Sequence, residues 1–181
     1  GWFFIVSTGW LLYLLMSRVL DLIAGGQEAL KLRDRAIESS TNAIIITEYR
    51  WPDLPIIYVN AAFERITGYS RAEALGRDPR FLQASDLDQP EIDAVRVALK
   101  ERRQCHVVLR SYHRDGTMYW NDMYIAPVRG ENGQVTHCVA VLNDITETRR
   151  YQDELALRAN YDTLTALPNR NLLSDRASTA I

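Results

Sequence analysis

The stretch Gly68-Tyr-Ser-Arg-Ala-Glu-Ala-Leu-Gly-Arg-Asp-Pro-Arg-Phe-Leu-Gln83 decides how the middle of this chain folds. Ser70, followed three residues later by Glu73, forms a capping box, a pattern that predicts the first turn of a helix. A loop follows from Gly76 to the end of the stretch. Short helical turns and a loop therefore connect a strand to a longer helix. In a small α+β domain we expect the ligand pocket at such a crossover.

Two short β-branched runs precede this stretch, and three longer runs follow it. The third run alternates cleanly between its two faces, which is typical of a half-buried strand. An Asp-Gly pair at Asp115-Gly116 predicts a tight hairpin turn after it. The five predicted strands are Ala43–Thr47, Pro55–Val59, Gln104–His113, Met118–Val128 and Gln134–Asn143.

Helices are predicted between the second and third strands. Asn60 is suited to cap a helix over Ala61–Thr67, and Gly68 is suited to end it. Pro90 fits the first turn of a longer helix over Glu91–Arg102. This order predicts an α+β domain, with a five-stranded antiparallel sheet and short helices on one face.

Composition and charge exclude several classes of protein. The chain has 181 residues, of which 47% are hydrophobic and 24% charged, as is typical of a globular protein. A net charge of -2 argues against a nucleic-acid partner, because there is no basic excess to neutralise phosphates. Cys105 and Cys138 lack the spacing of a metal site or a disulfide scaffold, so we expect two buried thiols and no metal.

The motifs around the opening stretch resemble a PAS domain, and within that class the light-oxygen-voltage (LOV) branch. We place the sensor domain at residues 40–146. The resemblance implies a PAS fold flanked by N- and C-terminal helices. The motifs that carry it are Val59-Asn60, Phe63, Gly68-Tyr69-Ser70, Gly76 to Gln83, Arg114 to Thr117, Tyr119-Trp120-Asn121, Ile125 to Val128 and Asp144-Ile145-Thr146.

The resemblance also implies a ligand site. In LOV domains a cysteine at the position of Pro79 forms the light-driven adduct with flavin, and proline has no thiol to do so. Ser111 and Leu142 stand where the family has Asn and Gln. Strand alternation places both, together with Asn121, on inward faces. The implied cofactor-binding residues are Asn60, Arg80, Gln83, Ser111, Asn121 and Leu142, with Arg80 matching a phosphate contact.

Three alternatives remain for the interior of the domain: a flavin (FMN or FAD), a different small ligand, or a packed core without ligand. Ser111 and Leu142 replace two amides of the family, which argues against flavin. The polar atoms of a flavin ring left unpaired in a buried pocket would cost about 1–3 kcal/mol each. Heme needs an axial ligand, most often His, and Glu91–Arg102 contains none. His106 and His137 are predicted on outward strand faces, so heme is not expected.

Residues 1–20 are expected to be the end of a transmembrane helix, because Gly1 to Ser17 carries no charge. An amphipathic or partner-packed helix is the alternative. Arg18 and the basic residues after it place the sensor domain on the cytoplasmic side of the membrane. The resemblance of the C-terminal segment to a GGDEF domain, given below, implies the inner membrane of a bacterium. Residues 21–39 are predicted to be a connecting helix.

Residues 147–160 are predicted to form a signalling linker helix. The helix either pairs with its copy in a homodimer or is a solvated connecting helix. Asp144 and Thr146, at its start, are the candidate relay residues. Tyr161-Asp-Thr-Leu-Thr-Ala-Leu-Pro-Asn-Arg170 resembles the opening of a GGDEF domain, the diguanylate cyclase fold, which we place at residues 161–181. No catalytic residue of that fold lies in this chain.

These features predict a sensory PAS module in a membrane-bound bacterial cyclic-di-GMP signalling protein, with a GGDEF domain and, in one variant, an EAL domain. Its signal would pass through a dimeric helical linker. A ligand-free dimerisation scaffold and a flavin-binding redox sensor without the cysteine are the alternatives. The whole protein would make cyclic-di-GMP or, with a degenerate GGDEF domain, degrade it.

Overall fold

Five antiparallel strands form one sheet. The computed structural model describes Glu28 and residues 31–160, with side chains up to residue 156. Each observed strand lies within two residues of its predicted bounds, and the predicted α+β class is confirmed. The strands are β1 Ala43–Glu48, β2 Ile56–Val59, β3 Cys105–Tyr112, β4 Met118–Arg129 and β5 Val135–Asp144. Their order in the sheet is β2-β1-β5-β4-β3.

Short helices lie between β2 and β3, as predicted, and one helix flanks the sheet at each end of the described chain. The crossover loop contains a 3₁₀ helix that the sequence did not predict. Asp78 caps this helix through its side chain, and Pro79 opens it. The helices are α1 over 31–38, α2 Ala61–Thr67, α3 Arg71–Ala74, the 3₁₀ helix Pro79–Gln83, α4 Pro90–Lys100 and α5 Thr146–Asn160.

The predicted caps are present. The Asn60 side chain accepts a hydrogen bond from the Phe63 N–H, and Gly68 ends α2 at a φ of 77°, a left-handed conformation that glycine adopts without strain. Ser70 and Glu73 form the reciprocal capping box at α3. These capping residues therefore determine where the short helices between β2 and α4 begin and end.

Strand pairing determines which side chains share the inner face of the sheet. Leu109 pairs with Asn121 across β3 and β4, and Met123 pairs with Leu142 across β4 and β5. One buried cluster, around Ile45, Phe63 and Leu82, joins β1 to α2 and the 3₁₀ helix. A second cluster lies under α4 and contains Val95, Ile125 and Cys138. The inner face between the two clusters borders a cavity.

Within the described residues, no helix combines the length and the apolar character that crossing a bilayer requires. The predicted transmembrane helix at 1–20 and the predicted GGDEF opening at 161–181 both lie outside the described residues.

Candidate ligand cavity

A cavity of about 420 Å³ lies between the inner face of the sheet, the 3₁₀ helix and α4. This volume is within the range of small-molecule sites, which is about 300–1,000 Å³. Most of its wall is apolar. The apolar side chains of the wall include Ile45, Leu82, Val95, Leu109, Met123 and Leu142. The interior of the domain is therefore not fully packed by its own side chains.

The structure brings five of the six predicted site residues together. Arg80, Gln83, Ser111, Asn121 and Leu142 all line the cavity. Ser111, Asn121 and Leu142 are each 1% exposed, as strand alternation predicted.

Asn60, the sixth predicted site residue, is not among the residues that line the cavity. Its Oδ1 atom accepts from the backbone N–H groups of Ile44 and Phe63, at 2.9 and 3.1 Å. Its Nδ2 atom donates to the carbonyl oxygens of Ile37 and Asn42, both at 3.0 Å. All four bonding positions of this amide are occupied by backbone, so Asn60 holds α1, β1 and α2 together instead of contacting a ligand.

Asn121 has the opposite surroundings. Its Nδ2 atom donates to the Ser111 hydroxyl at 3.1 Å. Its Oδ1 atom is buried and has no hydrogen-bond partner among the described residues. The Thr47 hydroxyl, also in the cavity wall, likewise lacks a partner there. Native structures rarely leave such atoms unsatisfied, so each needs an explanation.

Thr47 is a wall residue that was not predicted. Its signal was present in the sequence, because Ala43, Ile45 and Thr47 alternate to one face of β1 and all three are buried. Cys138 was predicted to be buried but not to line the cavity. Burial raises the pKa of its thiol to about 11, which keeps it protonated at neutral pH.

At the position of the family's cysteine, Pro79 lines the cavity. Next to it, the Asp78 carboxylate accepts two bonds from the Arg80 guanidinium, both at 2.8 Å. Burial alone would raise the pKa of Asp78. Bonds from the Arg80 side chain, the Arg80 N–H and the Leu54 N–H outweigh it and hold the pKa below its ordinary value. Asp78 therefore stays ionised, and it pairs with the arginine that matches a phosphate contact.

A second arginine at the cavity, Arg96 on α4, was missed by sequence reasoning. It donates to the Asp93 carboxylate at 2.6 Å, one turn away on the same helix. Arg80 and Arg96, the arginines in the cavity wall, are thus each paired with a carboxylate two or three residues before them in the chain.

These residues do not fit a flavin nucleotide as the family would hold it. Leu142 offers no hydrogen bond where the resemblance implies an amide, and Ser111 offers only a hydroxyl where the resemblance implies a second amide. The charge of Arg80 is neutralised by Asp78. No cysteine stands at the position of the adduct.

The three histidines of the chain do not line the cavity. His106 contacts Asp122 at 2.6 Å, and His113 stacks on Tyr119 with ring centroids 4.4 Å apart. Over the part of the chain that the structure describes, no cluster of His, Cys, Asp or Glu could hold a metal ion.

The predicted relay residues meet at the start of α5. The Thr146 hydroxyl accepts from the Trp120 N–H at 2.8 Å, and the Ile145 N–H donates to the Trp120 carbonyl at 2.9 Å. Asp144 caps the turn by accepting from the Thr146 N–H at 2.9 Å. The Arg149 guanidinium lies over the Trp120 ring, 4.2 Å from its centroid. Both peptide groups of Trp120 are therefore tied to the residues that begin α5.

The fold and the internal cavity define a class, the sensory PAS domains. The PAS domain family matches residues 41–147, more than half of the chain, and the chain belongs to that family. Within it the chain is of LOV-like type, as the motifs around the opening stretch predicted. Relatives and a solved structure support this finer assignment.

The chain is 38% identical to a blue-light photoreceptor of Listeria monocytogenes over 121 residues, which are 67% of this chain and 47% of the relative. It is 38% identical to the bacterioopsin transcriptional activator of Halobacterium salinarum over 125 residues, 69% of this chain and 18% of the relative. A solved RNA-binding light-oxygen-voltage receptor matches with a TM-score of 0.64 and 37% identity, covering 71% of this chain and 36% of that one. The chain spans less than half the length of each.

Proposed function

We propose that this LOV-like sensory module responds to a small ligand in the cavity and passes the response to α5 without cysteinyl-flavin chemistry. One observation carries the proposal. Asn121 and Trp120 are neighbours on β4, and Asn121 lies in the cavity wall. The backbone N–H and carbonyl of Trp120 are both hydrogen-bonded to residues at the start of α5. A ligand that pulls on Asn121 displaces the strand that holds this helix.

The exposed surface of α5 supports pairing with a second copy. Tyr151 and Leu155 are 56% and 64% exposed and lie four residues apart, on one side of the helix. A change at the start of α5 would alter how two such helices pair, which is the two-state element that a switch requires. The proposed assembly is a homodimer through the flanking helices.

The proposed output is cyclic-di-GMP signalling from a protein anchored in the inner membrane. Support comes from the sequence: the uncharged run at Gly1 to Ser17, and the segment from Tyr161 to Arg170 that resembles a GGDEF opening. In this proposal α5 sets the distance or rotation of two GGDEF domains, which need each other to condense two GTP molecules.

The test uses the full-length protein and measures cyclic-di-GMP formed from GTP. Asn121→Leu alters the cavity wall, Thr146→Val removes the acceptor for the Trp120 N–H with little change in shape, and the double variant combines them. We expect Asn121→Leu to change output several-fold, and to change nothing further in the Thr146→Val background. Thr41→Val, an exposed threonine at the start of the domain, is the control. Additive effects would overturn the route through Trp120, and absence of turnover would overturn the cyclase output.

A flavin redox sensor is the second candidate, favoured by the blue-light photoreceptor relative and by Gln83 and Asn121 in the wall. Visible absorbance of the purified chain separates the two candidates. A yellow protein whose flavin is recovered by denaturing extraction and rebinds favours the redox sensor; a colourless one favours a ligand of another class.

A further inference from the structure

The Oδ1 atom of Asn121, in the cavity wall, has no partner among the described residues and indicates what a ligand must offer. Resting on the proposed sensory function, we propose that the ligand is an uncharged molecule with a largely apolar body that donates an N–H or O–H hydrogen bond to Oδ1 of Asn121. It is not a nucleotide. The proposal combines three properties of the cavity, which are the chemistry of Asn121, the charges at the cavity and the apolar wall.

The hydrogen-bond donor follows from how the Asn121 amide is oriented. Its Nδ2 atom donates to the Ser111 hydroxyl at 3.1 Å, whereas Oδ1 of the same amide is the acceptor that a ligand in the cavity could complete. That oxygen is buried in a residue 1% exposed and has no partner among the described residues. A carbonyl oxygen can only accept, so a group that completes it must donate.

The absence of ligand charge follows from the pairing of both arginines in the wall. Arg80 is bonded twice to Asp78 and lies 3.4 Å from Asp53, and Arg96 is bonded to Asp93. Asp78 itself lines the cavity, so a phosphate placed near Arg80 would also approach this carboxylate. Like charges at short range disfavour binding. A cationic ligand gains little either, because Asp78 is already neutralised by Arg80.

The apolar body follows from the side chains around Asn121. Leu109 is its partner across the strand pair, Leu142 and Met123 occupy the next positions along the inner face, and Leu82 lies in the wall formed by the 3₁₀ helix. A ring or chain against these side chains buries apolar surface, which is favourable. A polar group buried against the same side chains would lose its bonds to water without replacement.

Two probes of matched shape test the hydrogen bond. 4-Phenylphenol carries a hydroxyl donor, and 4-methoxybiphenyl replaces that donor with an ether that only accepts. Dissociation constants of both are measured by calorimetry on the full 181-residue chain and on two variants. Asn121→Leu removes the acceptor. Asn143→Leu makes the same replacement on β5, one residue from Leu142 and therefore on the opposite face of the sheet.

We expect the wild-type chain to bind 4-phenylphenol about tenfold more tightly than 4-methoxybiphenyl. Asn121→Leu should remove this difference, and Asn143→Leu should preserve it. Riboflavin and FMN test the charge, and FMN should bind no more tightly than riboflavin despite its phosphate.

The outcomes separate failure of this inference from failure of the proposed function. Equal affinities for the two biphenyls in the wild-type chain, or tighter binding of FMN than of riboflavin, would overturn the ligand class while leaving a ligand-binding sensor in place. If neither biphenyl binds and neither flavin binds, both the ligand class and the ligand-sensing function are wrong, and the scaffold alternative takes their place.

Discussion

Two buried asparagines, Asn60 and Asn121, do opposite things in this domain. Both are at most 1% exposed. At Asn60 the two acceptor positions and two donor positions of the amide are all bonded to backbone. At Asn121 one donor reaches Ser111, and the oxygen has no partner among the described residues. The two side chains are thus equally buried, but only the amide of Asn60 has all its hydrogen-bonding positions filled.

This difference shows how a structural polar residue is distinguished from a ligand-facing one. A satisfied amide in a packed region adds stability and fixes one conformation of the chain around it. An unsatisfied amide beside a cavity costs free energy in the protein by itself, and that cost falls when a partner arrives. Such a cost is characteristic of functional sites, where a protein gives up stability for binding.

The largest effect is expected from Asn60→Leu. The backbone groups of Ile44, Ile37 and Asn42 would lose their side-chain partner in a packed region, which should lower the free energy of unfolding by about 4 kcal/mol. Urea unfolding followed by circular dichroism measures this. The matched control is Asn143→Leu on the outer face of the sheet. If Asn60→Leu lowers the free energy of unfolding by less than about 1 kcal/mol, the backbone groups find other partners. Asn60 would then not be the structural counterpart of Asn121.

Replacing Asn121 with leucine should change the free energy of unfolding in the opposite direction. Asn121→Leu combined with Ser111→Ala removes an unsatisfied oxygen and a hydroxyl from an apolar wall, and it should raise the free energy of unfolding by about 1 kcal/mol. Combining both changes avoids leaving Ser111 without its partner. Urea unfolding without added ligand is the measurement. A destabilisation of about 2 kcal/mol or more would mean that this pair is structural, like Asn60.

Most of the fold was predictable because its signals are local. Alternation located the long strands, the Asp115-Gly116 pair located the hairpin, and cap residues located both ends of α2. The 3₁₀ helix was not predicted, because its cap depends on Asp78 folding back on the Arg80 N–H inside a segment rich in turn-forming residues. The order of the strands in the sheet was not predicted, because no local signal in the sequence shows which strands are neighbours.

The cavity was less predictable than the fold. Alternation placed Ser111, Asn121 and Leu142 correctly, since period two fixes the face of a strand. It could not show that Asn60, in a motif shared with the family, bonds its whole amide to backbone groups of α1, β1 and α2. It could not show that Asp78 neutralises Arg80 either, because that depends on side-chain geometry over two residues. The sequence therefore predicted which strand residues line the cavity, but not which of their polar groups are already hydrogen-bonded within the protein.

The smallest effect is expected at Glu38, at the end of α1 and next to the Asn60 contacts. Its carboxylate accepts from the Tyr58 hydroxyl at 2.8 Å, the Ala61 N–H at 2.9 Å and the Arg71 guanidinium at 2.7 Å. The bond from Tyr58, followed by those from Ala61 and Arg71, holds the pKa of Glu38 below its ordinary value. Burial together with the bond to Glu38 raises the pKa of Tyr58 to about 12.

Glu38→Gln should therefore destabilise the domain only where Glu38 is ionised. A carboxyl whose pKa is lowered by folding contributes stability above its unfolded pKa and loses it as pH falls through the folded value. The side chain is 37% exposed, so we expect at most about 1 kcal/mol at pH 7, with the difference from wild type disappearing in acid below the ordinary carboxyl range. Urea unfolding at a series of pH values measures it, with the exposed turn residue Glu131→Gln as the control. A difference that persists unchanged in acid would show that Glu38 acts through packing and not through its charge.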